Sequence, residues 1–304
     1  MVYTTAVFLL GTFVFGTHAW GPTDCAYSVW SEWRSYNSGT FQFRTRDILR
    51  NARQGGQPCV GDRVEYRPVN AQLDPGFEGF LSMFLAGNAP SYNLAGGGFY
   101  TLSRDFVILL DTTINVQLFP YYKSLVSNIL GKVCGDFSSN PSDNRVTMAS
   151  FDSSETAIHT FSDTQSREIM QDKVLRVPRS QYSTYANIIP AADFARTTLH
   201  SDTSGTRTYN NATKEVLLVT SSPDYCSRGL TRALNRLRTV AEVYILVIGR
   251  PSNSCLESLT TSPTEFHFRQ LEDVAAITDG SALLLDQSQG NNFCVRNTGG
   301  GQHY

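Results

Sequence analysis

The clearest pattern along the chain is a set of short, continuous apolar runs, each ending in a polar turn. Residues 106–110 form such a run, and 216–220 and 243–248 repeat it further along. A strand covered on both faces loses the usual alternation of apolar and polar residues, so these runs predict strands inside a sheet. Shorter strands are predicted at Arg145–Phe151, at 156–161 and around Phe266 and Phe268.

Between these runs the apolar residues recur every three or four positions, which is the spacing of one face of a helix. Segment 115–134 has such a face, made of Leu118, Tyr122, Leu125, Ile129 and Val133. Further helices are predicted at 188–199, at 229–240 and from 271 onward. Strands that alternate with helices favour parallel pairing with right-handed crossovers, so the sequence predicts an α/β fold with a doubly wound, mostly parallel, Rossmann-like sheet.

The predicted topology also indicates where a ligand would bind. In open parallel sheets, ligands bind in the loops that follow the carboxyl ends of the strands. Three loops are therefore candidates: 111–115, 185–187 and 221–225.

The segment before this fold has a different composition. Residues 20–70 contain few aliphatic residues and many Trp, Arg, Ser and Gly, so they cannot form an ordinary apolar core. Aromatic rings and guanidinium groups at strand-like spacing can replace such a core by stacking, with about 0.5–2 kcal/mol for each cation–π contact. The stack is expected to consist of Tyr27, Trp30, Trp33, Arg44, Arg46 and Arg67.

This segment resembles a degenerate thrombospondin type 1 repeat. The resemblance rests on the ordered stretches Ser28-Val29-Trp30-Ser31-Glu32-Trp33, Arg44-Thr45-Arg46 and Gly55-Gly56-Gln57-Pro58-Cys59. The family's internal Cys-Ser-x-x-Cys stretch is replaced by residues 34–39, which removes its O-fucosylation site. The resemblance therefore implies one bridge, Cys25–Cys59, and a C-mannosylation context at Trp30.

The remaining N-terminal and C-terminal segments are assigned from composition. An apolar run at 6–16 followed by Thr17-His18-Ala19 predicts a signal peptide at 1–19 and secretion. Residues 71–103 are expected to be a connector with one short helix, because Phe77, Phe80 and Phe84 recur at helical spacing. That Phe face either packs onto a neighbour or forms an exposed aromatic binding stripe. Residues 291–304 are expected to be a C-terminal tail.

The large segment, 104–290, resembles a von Willebrand factor type A domain. The resemblance rests on six stretches that occur in the expected order: 106–115, 146–151, 187–195, 214–220, 243–249 and 271–274. It implies the doubly wound fold that the periodicity predicts independently. It also implies a module that binds other macromolecules.

Many members of this family hold a divalent cation with an Asp-x-Ser-x-Ser loop, a Thr on a second loop and an Asp on a third. Hard oxygen ligands of this kind suit Mg²⁺ or Ca²⁺ and leave a coordination site for an acidic residue of the partner. Here the first loop offers Asp111, Thr113 and Asn115, whereas Ala186 and Ser221 align with the Thr and the second Asp. We therefore expect no bound metal, with weak Mg²⁺ or Ca²⁺ binding at Asp111 as the alternative.

The chain has six cysteines, an even number that fits an oxidising compartment. Beyond Cys25–Cys59, the topology of the type A family implies the pairs Cys226–Cys255 and Cys134–Cys294. Asn211-Ala212-Thr213 is a glycosylation acceptor if the protein is secreted.

Composition and motifs narrow the class of function. A formal net charge of −2 gives no basis for binding nucleic acid, and no second apolar run is long enough to span a membrane. The chain contains no Gly-x-Ser-x-Gly, Gly-x-Gly-x-x-Gly or phosphate-binding motif in the required context, so an enzyme is not expected. We expect a secreted matrix or adhesion protein that binds an extracellular protein or glycan.

Two alternatives to metal-free binding remain open from the sequence. One is a cation-dependent adhesion module that uses Asp111. The other is a sulfated-glycan binder that uses the basic helix with Arg228, Arg232, Arg236 and Arg238. The oligomeric state and the identity of the partner do not follow from the sequence.

Overall fold

The computed structural model describes twelve stretches of the chain. They are 21–36, 41–57, 59, 64–68, 76–86, 103–138, 143–181, 183–200, 205–207, 212–222, 227–250 and 254–285. The expected signal peptide and C-terminal tail lie outside these residues. The described residues belong to two compact units, one drawn from 1–27 with 48–59 and the other from 28–47 with 60–304.

The first unit is a short β ribbon closed by a disulfide. Strand β1 (Ala26–Tyr27) pairs antiparallel with β4 (Ile48–Arg50), and a bridge joins Thr23 to Arg53. The Cys25–Cys59 disulfide is present, as the sequence predicted. Gly56 lies so close to the backbone of Thr23 that a Cβ at this position would have no space.

The second unit contains two separate sheets. The smaller is antiparallel with strand order β2-β3-β5, where β2 is Arg34–Tyr36, β3 is Phe41–Thr45 and β5 is Val64–Pro68. The larger sheet has six strands: β6 (Ser103–Asp111), β7 (Arg145–Phe151), β8 (Glu155–His159), β9 (Ala212–Thr220), β10 (Glu242–Ile248) and β11 (Phe268–Leu271).

The order of the large sheet is β11-β10-β9-β6-β7-β8. Every neighbouring pair in it is parallel except β7 with the edge strand β8, which is antiparallel. The helices are α1 (Phe77–Ala86), α2 (Phe119–Lys132), α3 (Arg167–Arg176), α4 (Ile188–His200), α5 (Arg228–Arg238), α6 (Ser254–Ser258), α7 (Thr264–His267) and α8 (Val274–Leu285). This arrangement confirms the predicted doubly wound, mostly parallel α/β fold.

Both faces of the large sheet are covered, which explains the continuous apolar runs. In β6, Phe106 and Ile108 join the core beneath α1, α2, α3 and α8, while Val107 and Leu109 join the core beneath α4, α5 and α6. Alternate residues of one strand therefore contribute to two different cores. None of the described helices is both long enough and apolar enough to cross a bilayer.

Helix α1, from the expected connector, packs into the first of these cores. Phe80 and Phe84 are fully buried, and Phe84 packs edge-on against Phe106. A Cβ at Gly280 would lie 2.6 Å from a ring atom of Phe77, so the absence of a side chain there lets α8 approach α1 closely. The Phe stripe is therefore a packing face, as the first of the two alternatives predicted.

Three local expectations differ from the structure. The last helix begins at Val274, because Leu271, where it was expected to begin, ends strand β11. Phe266 lies in the short helix α7, where its N–H donates to the carbonyl of Pro263, and the strand begins only at Phe268. Helix α3 was not predicted because only Met170 and Val174 in it are buried, which is too few for a clear apolar face. Its start is marked by Ser166, whose hydroxyl caps the helix.

Candidate functional site

The loops at the carboxyl ends of β6 and β9 lie together, as parallel strands require. We call the loops 111–118, 183–187 and 220–222 the crown. Asp111 ends β6, Thr220 ends β9, and residues 183–187 lead into α4. The three candidate loops of the sequence analysis fall within or next to the crown, except that 223–226 lie outside the described residues.

Asp111 is fully buried and accepts hydrogen bonds at both carboxylate oxygens. Its Oδ1 accepts from the N–H and the hydroxyl of Thr113, both at 2.7 Å. Its Oδ2 accepts from the Thr220 hydroxyl at 3.0 Å, and from the N–H and hydroxyl of Ser221 at 2.8 and 3.3 Å. Five protein donors therefore surround one carboxylate, and they join the end of β6 to the end of β9.

These residues do not fit a divalent cation. A cation needs free carboxylate lone pairs, but the five hydrogen bonds from Thr113, Thr220 and Ser221 already occupy the roughly four lone-pair sites of the Asp111 carboxylate. Ala186 supplies no side-chain oxygen, and Ser221 supplies no second charge. Across the described residues, no group of three or more His, Cys, Asp and Glu side chains could hold a metal ion.

The structure brings Thr113 to Asp111 but does not bring Asn115 there. The carboxamide oxygen of Asn115 accepts from the N–H of Gln117, and its backbone carbonyl accepts from Leu118 and Phe119. Asn115 therefore shapes the exposed turn before α2. Of the three expected ligands, Asp111 and Thr113 are therefore buried together, whereas Asn115 lies in an exposed turn.

Further hydrogen bonds, which sequence reasoning missed, fix the crown loops to one another. The Ser222 hydroxyl donates to the carbonyl of Ala186 and accepts from its N–H, both at 2.9 Å. The N–H of Ser180 donates to the carbonyl of Thr112 at 2.8 Å, and its hydroxyl donates to Asp152 at 2.9 Å. Runs of Ser and Thr after buried strands were the available signal, but they do not indicate which loop is the partner.

The crown also contains an uncharged pocket of about 430 Å³. Its walls are the segment 183–189 with Ser153, Ser222, Ser227 and Leu230, and none of these side chains carries a charge. Tyr185 is 63% exposed at the pocket, and Val116 on the neighbouring loop is 65% exposed. The crown therefore presents apolar and hydroxyl groups around a buried carboxylate.

In the small sheet the guanidinium and indole groups alternate. The Arg44 guanidinium lies 5.0 Å from the Trp30 ring and 4.7 Å from the Trp33 ring, and that of Arg46 lies 4.5 Å from Trp30. Four of the six expected members therefore stack in the order Arg46, Trp30, Arg44, Trp33. The side chain of Arg67 lies outside the described residues, and Tyr27 belongs to the first unit.

Two further disulfides and one glycosylation site, predicted from the sequence, involve residues that the structure does not describe. Cys134 and Cys255 are both disulfide-bonded, whereas their expected partners Cys294 and Cys226 are not among the described residues. The two pairings therefore stay predictions, as does glycosylation of Asn211, which also lies outside the described part.

The buried histidines make structural contacts. His159 lies beside Gln165 and Lys173, at 3.1 Å from each, and burial together with Lys173 lowers the pKa of its imidazole. His267 lies 3.0 Å from the carbonyl of Pro263. The contacts of His159 among the described residues include no serine or cysteine that its imidazole could activate as a nucleophile.

The basic helix α5 exposes Arg228, Arg232 and Arg236, spaced four residues apart on one face. No carboxylate among the described residues pairs with these three guanidinium groups. Arg238 is half-buried and donates to Asn235 at 3.4 Å. The sequence-predicted basic face therefore consists of three arginines.

Comparison with known proteins supports the fold. The sequence model of the von Willebrand factor type A domain matches residues 105–282. This match confirms the resemblance of the large module, and it does not extend to residues 20–70. The thrombospondin-like assignment of that segment stays a prediction. A search of curated proteins gave no match.

Two of the similar solved structures are of proximal thread matrix protein 1 from the mussel byssus. One, a second crystal form, has 14% identity and a TM-score of 0.51, covering 61% of this chain and 48% of that chain. The other, described "with zinc occupied MIDAS motif", has 15% identity, a TM-score of 0.51 and the same coverage, 61% and 48%. The present chain therefore spans about half the length of these proteins, and the likeness concerns the fold.

Proposed function

Because the chain belongs to the von Willebrand factor type A domain family, we propose that it is a secreted matrix or adhesion protein. In this proposal the crown binds another extracellular macromolecule without a metal ion and without catalysing a reaction. The observation that carries the proposal is the saturation of Asp111 by five protein hydrogen bonds.

Hydrogen bonds to Asp111 do for this crown what a bound cation would otherwise do. A divalent cation would neutralise the buried carboxylate and hold the loops together. Here two backbone N–H groups and three hydroxyls solvate the charge, and they fix the loops before any partner arrives. A preorganised surface loses little conformational entropy on binding, which favours affinity.

The exposed groups of the crown suit a macromolecular partner. Tyr185 and Val116 are large apolar side chains in solvent, and aromatic residues are enriched where proteins bind one another. The uncharged pocket beside Tyr185 can accept a side chain of the partner. We assign the recognition surface to this group of loops.

Three features support an extracellular location. The sequence predicts a signal peptide at 1–19, and the described cysteines Cys25, Cys59, Cys134 and Cys255 are all disulfide-bonded. Two of the solved structures to which the fold is similar are of a byssal thread matrix protein. We propose a two-module arrangement, with a thrombospondin-like module at 20–70, a connector at 71–103 and the type A module at 104–290.

The test is binding of the protein to extracellular matrix extract, with and without EDTA, combined with calorimetry in Mg²⁺, Ca²⁺ and Mn²⁺. We expect capture of a matrix component that EDTA does not reduce, and no heat of metal binding. A metal-binding heat that disappears in Asp111→Ala would instead support the cation-dependent alternative and overturn the proposal.

A variant of Tyr185 tests whether the crown is the binding surface. Tyr185→Ala should weaken capture about tenfold, because an exposed aromatic at the centre of an interface commonly contributes more than 1 kcal/mol. Leu285→Ala is the matched control, since Leu285 is 58% exposed at the end of α8 that lies away from the crown. Equal capture by both variants would place the binding surface elsewhere.

Helix α5 supports a second candidate function, binding of a sulfated glycan. Arg228, Arg232 and Arg236 are exposed and free of carboxylate partners within the described structure, and such guanidinium groups bind sulfate well. Arg232→Glu combined with Arg236→Glu should abolish retention on heparin at moderate salt. Retention equal to that of the wild type would exclude this face as the glycan site.

A further inference from the structure

A cleft of about 630 Å³ lies beside the crown and has a composition different from that of the crown pocket. It runs between the edge strand β8 and the C-terminal half of α3, and residues 177–181 close one end. Ala157, Ile158 and Pro178 are the apolar lining residues that are at least partly exposed. Every residue that lines this cleft is described by the structure.

The charges of the cleft are mainly positive. Lys173, Arg176 and Arg179 line it, whereas Asp152 is its one acidic lining residue. The Asp152 carboxylate accepts hydrogen bonds from the Ser180 hydroxyl at 2.9 Å and from nearby backbone N–H groups. Burial opposes these bonds, but together they hold the pKa of Asp152 below its ordinary value, so it stays ionised and engaged. Counted over its lining side chains alone, the cleft has an excess of two positive charges; Lys173 also pairs with Asp163 at 3.4 Å and Arg176 with Asp172, two acids that do not line it.

The cations differ in how firmly they are held. Lys173 donates to the carbonyl of Ile158 at 3.0 Å, which occupies one hydrogen-bonding position of the edge strand. The Nε of Arg179 donates to the carbonyl of Ile114 at 2.8 Å, which fixes that guanidinium against the crown loop and leaves other N–H groups for a ligand. Arg176 pairs with Asp172 on the same helix at 2.9 Å, but its side chain is 79% exposed.

An exposed pair such as Arg176–Asp172 contributes little to stability, so Arg176 can exchange this partner for an incoming carboxylate at small cost. The guanidinium group of Arg179 is already held in place by its hydrogen bond to the carbonyl of Ile114. Positive charge beside an apolar wall fits a peptide whose acidic side chains alternate with apolar ones. A sulfated glycan offers no apolar side chains for Ala157, Ile158 and Pro178 to contact, so the cleft favours a peptide.

We propose that this cleft binds an extended acidic segment of the partner protein. Carboxylates of the segment pair with Arg176 and Arg179, and its apolar side chains pack against the wall formed by β8 and Pro178. The inference rests on the proposed function and deepens it by naming the chemistry of the partner.

The experiment uses the full mature chain and a fluorescein-labelled peptide in which Glu alternates with Val, with fluorescence anisotropy as the readout. The same peptide with Gln in place of Glu is the neutral control. We expect binding of the Glu peptide that weakens as salt is raised, and much weaker binding of the Gln peptide. Arg176→Glu alone should weaken binding about fivefold, and Arg176→Glu with Arg179→Glu at least tenfold.

The matched control is Arg232→Glu with Arg236→Glu, which makes the same change in net charge on helix α5. This control should bind the Glu peptide as the wild type does. Thermal unfolding checks that each variant is folded, and Arg176→Glu keeps the test valid if loss of Arg179 disturbs the loop. The assignment to the cleft would be overturned if both double variants lost affinity for the Glu peptide equally. It would also be overturned if the protein bound the Glu and Gln peptides equally well.

The matrix experiment separates the two proposals. Capture of a matrix component without metal, together with no cleft-dependent binding of the Glu peptide, would refute the cleft and leave the proposed function standing. Peptide binding at the cleft without capture of any matrix component would refute the proposed function and leave the cleft assignment standing. Heparin binding that depends on Arg176 and Arg179, with no binding of the peptide, would make the cleft a glycan site and refute the acidic-peptide proposal.

Discussion

At the scale of single residues, Asp111 shows how one carboxylate can connect two strands. Its donors come from its own loop, Thr113, and from the end of β9, Thr220 and Ser221. The Tyr122 hydroxyl also donates to its backbone carbonyl at 3.0 Å, which ties α2 to the same point. A buried charge is tolerated only when such donors satisfy it.

Replacing Asp111 with alanine should therefore lower the free energy of unfolding by about 3 kcal/mol. The variant leaves the N–H groups of Thr113 and Ser221 without their buried acceptor. Urea unfolding followed by circular dichroism measures the effect.

Asp193→Ala is the comparison for this measurement. Asp193 is 47% exposed and pairs with Arg196 on the surface of α4, so its loss should cost less than about 0.5 kcal/mol. A similar cost for the two variants would contradict the joining role of Asp111.

At the scale of elements, an ionic cluster at the opposite end of the sheet connects β6, β7 and β9. The Asp105 carboxylate is fully buried and contacts Arg207 at 2.6 Å, Lys214 at 2.8 Å and Arg145 at 3.4 Å. Burial by itself raises the pKa of Asp105, but Lys214 and Arg207 outweigh it and hold the pKa below its ordinary value of 3.8.

A folded-state pKa below the unfolded value means that Asp105 stabilises the fold at neutral pH. This contribution is present above pH 3.8 and is lost as the pH falls further, through the folded-state pKa. We expect Asp105→Asn to be less stable than the wild type at neutral pH, with the difference between the two proteins shrinking in acid. Urea midpoints across this range test the sign, and a difference that grows in acid would contradict it.

At the scale of the whole molecule, the order of strands determines where the two proposed recognition surfaces lie. From β6 the chain first proceeds towards β7 and β8, and later returns to the other side of β6 to form β9, β10 and β11. The crevice between β6 and β9 is the switch point where ligands bind in open α/β sheets. Asp111 lies there, and the cationic cleft lies towards β8, so both are surfaces of one module.

The smaller elements near the N-terminus rely on a different kind of stabilisation. Cation–π stacking between Arg44, Arg46 and the two indoles supports the small sheet, and the Cys25–Cys59 disulfide closes the ribbon. Small units that cannot bury enough apolar surface need such reinforcement. The thrombospondin-like assignment of residues 20–70 stays a prediction.

The sequence by itself determined the class of fold and most of its elements. Apolar runs such as 106–110 and 243–248 identify buried strands, because covering both faces removes the need for polar residues. The prediction at Arg145–Phe151 has the same bounds in the structure. Local pattern is enough here, since the alternation and spacing of apolar residues reflect the geometry of a strand or helix directly.

Only the tertiary structure decided which polar side chains act together. The sequence grouped Asp111 with Asn115 and aligned Ser221 with a metal ligand; the structure instead makes Ser221, 110 positions away, a hydrogen-bond donor to Asp111 and leaves Asn115 in the turn before α2. It also assembled the cleft from β8, α3 and residues 177–181, none of which the sequence singled out as a site. Hydrogen bonds and clefts of this kind depend on distances in space, and the spacing of residues along the chain does not encode which loops will meet.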